Sequence, residues 1–136
     1  MNEHPVENLN WEIAAKKPKI ALDFDGVLHD YSGWNGVIPT GPPVDGALNS
    51  VNWLLNHGFD PFIMSTRAQE PGGREAIQSW LAEHEFPVLE VTHHKNHAEL
   101  YVDDRGFRFE GPQSWEALLV FLQENPIPGR WGSGNL

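Results

Sequence analysis

Lys19-Ile20-Ala21-Leu22-Asp23-Phe24-Asp25-Gly26-Val27 is the stretch on which the reading of this chain turns. Its apolar run, Ile20 to Leu22, is too short for a helix and reads as a buried strand. Two carboxylates, Asp23 and Asp25, follow at the strand's carboxyl end, and Gly26 lets the chain turn sharply. Strand side chains return to one face every second residue, so acids spaced i, i+2 can converge on one ligand. In open α/β sheets ligands sit just beyond the carboxyl ends of the strands.

The pattern around this stretch alternates strand and helix. The first strand covers about 18–24. Residues 29–43, rich in Gly and Pro, read as a loop or small flap, either a surface hairpin or a lid that touches a substrate through Tyr31 or Trp34, with His29 and Asp30 either meeting it or shaping the flap. Pro43 opens a helix whose stripe runs Val44, Leu48, Val51, Leu55, widened by Ala47 and Leu54 and stopped by Gly58. Phe59 to Met64 reads as a second strand, with Pro61 marking an edge-like start, and it ends in Ser65-Thr66-Arg67. After Pro71-Gly72-Gly73, Ala76, Ile77, Trp80 and Leu81 mark a second helix. Val88 to Thr92 and Leu100 to Val102 give two more strands, the last running into Asp103-Asp104-Arg105. Phe107-Arg108-Phe109 suggests a short fifth strand, and Trp115, Leu118, Leu119 and Leu122 a final helix ended by Pro126. The tryptophans at 53, 80 and 115 fall at core spacing. Such alternation predicts an α/β, Rossmann-like parallel sheet of four to five strands with helices on both faces and a small flap after the first strand. The domain would span 18–124, between an N-terminal extension, 1–17, and a C-terminal tail, 125–136.

Composition narrows the function. The chain has 136 residues, 40% hydrophobic and 21% charged, enough for one core. With no cysteine it has neither disulfides nor thiolate chemistry. The polar start has no apolar signal segment, and no run is long enough to span a bilayer, so a cytoplasmic chain with no membrane partner is expected. A formal charge of −10 disfavours extended nucleic-acid binding, which calls for a basic stripe. The lysines at 16, 17 and 19 read as solvated.

Three strand ends carry the chemistry: Asp23 and Asp25, then Ser65-Thr66-Arg67, then Asp103-Asp104, with Lys95 just before the last strand. Like charges about 4 Å apart repel by roughly 4 kcal/mol at an effective dielectric near 20, so converging acids call for a cation. An all-oxygen set suits Mg²⁺, which binds through one or two carboxylates plus a phosphate. His93, His94 and His97 around Lys95 admit a zinc-site reading, but a solvated polar loop is the simpler one. Arg67 is suited either to bind phosphate or to pair with an acid.

The ordered set Asp23-Phe24-Asp25-Gly26-Val27, Ser65 after an apolar strand, Lys95, and Asp103-Asp104 resembles the four motifs of the haloacid dehalogenase superfamily, over residues 19 to about 120. Val27 departs from the Thr common at that place. The resemblance implies a small capless phosphatase. Asp23 would be the nucleophile that forms an aspartyl-phosphate, and Asp25 the general acid and base. Ser65 and Lys95 would hold and neutralise the phosphoryl group, with Thr66, Arg67, Tyr31 and Trp34 nearby for substrate. Mg²⁺ would be held by Asp23, the Asp25 carbonyl and Asp104, with Asp103 close or bound through water. The expected substrate is a small phosphorylated metabolite or nucleotide. A phosphatase acting on nucleic-acid ends and a non-catalytic phosphoryl-binding regulator remain as alternatives. A receiver domain would carry its acidic pair, phospho-acceptor and lysine on its first, third and fifth strands, an order not found here. Oligomeric state is not legible.

Overall fold

The computed structural model describes residues 17–125 of the chain. Apart from residues 17 and 125 themselves, the expected extension and tail lie outside that range. The chain divides into two units, one through Asp104 and one from Arg105 onward.

In the first unit the strands are β1 (Lys19–Leu22), β2 (Asp60–Met64), β3 (Val91–Thr92) and β4 (Leu100–Val102). They form a parallel sheet, four-stranded among the described residues, in the order β3-β2-β1-β4. The connections step outward from β1 to β2 to β3, then return to place β4 on the other side of β1. The order therefore reverses between β1 and β4, and that crevice is where an open α/β sheet binds its ligand. This is the expected Rossmann-like arrangement, and among the described residues no cap domain is inserted.

Helix α1 (Ala47–Asn56) starts later than Pro43 implied. Pro43 instead bridges His29, and Gly46 adopts φ 87° before the first helical turn, a left-handed conformation suited to glycine. Trp53 is half-exposed because it lies two residues, about 200° of helix rotation, from the buried Val51. After a short 3₁₀ turn at Thr66–Gln69 comes α2 (Gly73–Glu83), with Ile77, Trp80 and Leu81 buried.

Both helices pack on one face of the sheet, where Ile20, Leu22 and Ile63 share a core with Val51, Ile77, Trp80 and Leu81. Within this unit the expectation of helices on both faces is thus met on one. Two successive crossovers of the same hand, stepping in the same direction, put their helices on the same side, and the connection at 93–99 is too short to supply a helix for the other. That other face carries Ala21, Phe62, Met64 and Tyr101, with Ala98 packed among them.

Pro61 sits in β2 without breaking the ladder. Asp60 donates toward β1, through Pro18 O, and Ile63 toward β3, through Glu90 O. By alternation the missing Pro61 N–H would face β3, whose pairing begins only opposite Ile63. The start of β2 is an edge on that side, as the proline implied. For the same reason β3 shrinks from the expected 88–92 to two residues, and Val88 is almost fully exposed. Lys19, expected to be solvated, pairs with Asp60 at 2.8 Å, both half-exposed.

The second unit holds α3 (Gln113–Glu124). Residues 107–109 form no strand: Phe107 packs against Phe121 and Phe109 edge-on against Trp115, so the alternating aromatics serve this helix and not a ladder. No helix among the described residues is long and apolar enough to cross a membrane.

Candidate active site

The Asp-x-Asp-Gly turn is shaped by one carbonyl and one buried ring. Phe24 O accepts the amides of Val27, Leu28 and His29, while Gly26 N returns a bond to His29 O at 2.8 Å. The Phe24 side chain, fully buried, fixes the turn against Trp80. Gly26 adopts φ 87°, and a Cβ there would overlap the Asp104 carboxylate. The carboxylate from the end of β4 thus lies directly on the glycine after the β1 acids, at the switch point. Asp23 N continues the pairing one residue beyond β1 by donating to Val102 O at 2.9 Å.

Asp23 is half-buried, and its Oδ1 accepts the Phe24 amide at 2.8 Å. Burial first, then the negative charges of Asp104, Asp25 and Asp103, push its pKa up to about 6, against the lowering effect of that amide. The strongest charges acting on it are all acidic, and Asp104 acts more strongly than Asp103.

Asp25 has a different setting. Arg67 grips it with two bonds, Nε to Oδ2 at 3.2 Å and Nη2 to Oδ1 at 2.9 Å. His29 Nε2 accepts the Gly41 amide at 2.8 Å, so the ring proton resides on Nδ1, which donates to Asp25 Oδ1 at 2.7 Å. Both oxygens of Asp25 are engaged. Arg67 is buried, and its Nη1 also donates to the carbonyls of Gly36 and Val37 at 2.9 and 2.8 Å. Of the two roles open to Arg67, the structure gives it the pairing with an acid; its donors are turned to Asp25 and the flap. Likewise His29 shapes the flap. Trp34, half-exposed, lies over the guanidinium at 4.6 Å from its ring centroid, and Tyr31 is partly buried near His29.

Ser65 ends β2 with its hydroxyl buried, accepting the Arg67 amide at 3.2 Å and capping the 3₁₀ turn. Its own O–H has no acceptor among the described residues and is left to donate. Thr66 is exposed. Lys95 is exposed too, with its ammonium 5.1 Å from the Tyr101 ring centroid on β4. The rings of His93 and His94 lie against each other at a tilt, centroids 4.0 Å apart, and His97 lies 3.6 Å from Glu99.

The donors at the switch point are oxygen atoms with excess negative charge, a chemistry that fits a hard divalent ion. Among the described residues no three His, Cys, Asp or Glu side chains form a ready cage, and the Asp25 carboxylate is committed to Arg67 and His29. Mg²⁺ keeps several waters and needs one or two carboxylates, which Asp23 and Asp104 can supply.

The residues that the sequence reading left out are Gly41 and the indole N–H of Trp80. Trp80 Nε1 donates to Gly41 O at 2.9 Å, and a Cβ at Gly41 would overlap the Asp30 carbonyl. The glycine next to two prolines was a signal for a tight approach, but its partner, 39 positions away, was not.

No family model matches the chain, and no curated protein does. A solved structure described as a conserved protein of Bacteroides thetaiotaomicron is similar over 82% of this chain and 94% of its own, at 19% identity and a TM-score of 0.51. At that identity the likeness speaks for the fold.

Proposed function

We propose that this chain is a small, cytoplasmic, Mg²⁺-dependent phosphomonoester hydrolase of the haloacid dehalogenase type. The observation that carries the reading is the state of Asp23. It stands at the β1–β4 switch point beside Asp104, with its pKa raised to about 6 by burial and by three acids. A nucleophilic carboxylate left under-compensated in a crevice calls for a cation and a charged ligand to complete it.

Asp23 would attack phosphorus, forming its acyl phosphate as the alcohol departs. Asp25 would give the departing oxygen its proton and then take one from the water that clears the intermediate, regenerating Asp23 and releasing phosphate. To do so Asp25 must exchange one of its present donors for the departing oxygen. The O–H of Ser65 would donate to a phosphoryl oxygen, and Lys95 would have to swing its ammonium from the Tyr101 ring to meet the negative charge there. Asp23, Asp104 and the Asp25 carbonyl would hold Mg²⁺, with Asp103 close by; the ion would offset the charge of phosphate and acids together. The substrate class is a small phosphorylated metabolite or nucleotide, since a net charge of −10 works against a long polyanion.

A screen over nucleotides, sugar phosphates and 5′- or 3′-phosphorylated oligonucleotides, with Mg²⁺ and with chelator, tests this. Release of phosphate from a small ester, lost with chelator, is expected; activity indifferent to chelator contradicts the metal role. The commitment of both Asp25 oxygens favours one second reading, a phosphoryl-binding regulatory domain. It predicts a long-lived phosphoryl group on Asp23 with no turnover.

A further inference from the structure

We infer that Arg67 is a positioning residue that latches the 29–43 flap onto Asp25, so that the flap and the proposed catalytic acid are held as one body. The catalytic half of this inference rests on the phosphatase reading; the latch itself does not. The buried guanidinium spends two of its donors on Asp25 and two on the carbonyls of Gly36 and Val37. Its outer face is covered by Trp34, a flap residue, and Phe24 lies within 5.9 Å of it. A planar fork in two bonds to a carboxylate fixes that carboxylate's rotation. The same fork on two successive carbonyls fixes the flap.

The near end of the flap is tied back to the same carboxylate by a second path. His29 links Asp25 to the Gly41 amide, and the Gly41 carbonyl takes the Trp80 indole N–H from α2. Both paths meet at Asp25: displacing the flap breaks its contacts with Arg67 and His29, and turning Asp25 breaks that carboxylate's own bonds to the same two side chains. The flap is therefore a wall fastened to the acid, and selectivity for the departing group would be set by how Arg67 places the two together.

The test compares the full-length chain with Arg67→Met, Arg67→Lys and Trp34→Leu. Trp34→Leu loosens the latch without leaving a buried charge, and so covers the case in which Arg67→Met does not fold. Amide hydrogen exchange is read across 36–41, alongside kcat and KM for two phosphomonoesters, an aryl ester that departs readily and an alkyl ester that needs a proton. The latch predicts exchange about tenfold or more faster across the flap, most at Gly41, in Arg67→Met and to a lesser degree in Trp34→Leu. It predicts that kcat for the alkyl ester falls by about 10²-fold or more, the scale of a placed general acid, while the aryl ester loses far less, with partial recovery in Arg67→Lys. Equal losses on both esters overturn the positioning role, and unchanged flap exchange overturns the latch. Wild-type protein that hydrolyses neither ester overturns the phosphatase reading and the catalytic half with it. The exchange measurement then decides the latch alone.

Discussion

Asp23 and Asp25 are separated by one residue and have opposite surroundings. Asp23 faces other acids and holds its proton up to about pH 6. Asp25 lies between an arginine and a histidine, with three hydrogen bonds on its two oxygens. The contrast teaches that the turn is divided in two. One carboxylate is left short of positive charge and so defines a place for a cation and its ligand. The other is satisfied by the protein and anchors the flap. A cluster in which every acid had its own arginine would be a structural network; here the deficit is localised at Asp23 and Asp104.

The largest expected effect from breaking this contrast is at Asp23. Asp23→Asn should lower turnover by about 10⁴–10⁶-fold, the scale for loss of a nucleophile, with an unchanged circular dichroism spectrum. Next is the anchor. Arg67→Met should destabilise by about 3–5 kcal/mol, because it leaves the Asp25 carboxylate uncompensated; denaturant unfolding measures this, and adding Asp25→Asn should restore part of the loss. Gly26→Ala should cost about 1–2 kcal/mol for its positive φ. It should also push the Asp104 carboxylate aside, so that Mg²⁺ no longer raises the melting temperature. Ser65→Ala removes the cap on Arg67 N and should cost about 0.5–2 kcal/mol, with a further fall in kcat/KM if Ser65 holds phosphate.

The smallest effect is in pH dependence. The folded chain binds the Asp23 proton more tightly than the unfolded chain. Its contribution to stability is therefore fully present below about 3.8 and lost as pH rises through about 6. Metal-free protein should lose a few degrees of melting temperature across that interval. Asp23→Asn should flatten the loss.

Much of the sheet was legible because strand ends here are chemically marked. Ile20 to Leu22 ends in acids, Phe59 to Met64 in a serine, Leu100 to Val102 in a pair of acids, and each lies at the carboxyl end of its strand. Helix starts were less legible: Val44 belongs to the apolar stripe and packs on the core, yet Gly46 delays the helix to Ala47. Phe107 and Phe109 alternate like a strand, but ring packing on α3 satisfies them as well as a ladder would. In the site, the acids were readable from local spacing. The partnership of Arg67 with Asp25 was not, because it joins residues 42 positions apart and nothing in either neighbourhood says which acid the arginine takes. His29 was visible as a residue of the flap, but its tautomer and its role depend on the amide of Gly41.

The most direct measurement is a calorimetric titration of metal-free protein with Mg²⁺ at pH 6, in two buffers of different ionisation enthalpy. Burial and the neighbouring acids raise the Asp23 pKa to about 6, so the account predicts saturable binding that releases protons, abolished by Asp104→Asn and stripped of proton release by Asp23→Asn. Absence of Mg²⁺ binding, or binding that both variants leave intact, would contradict it.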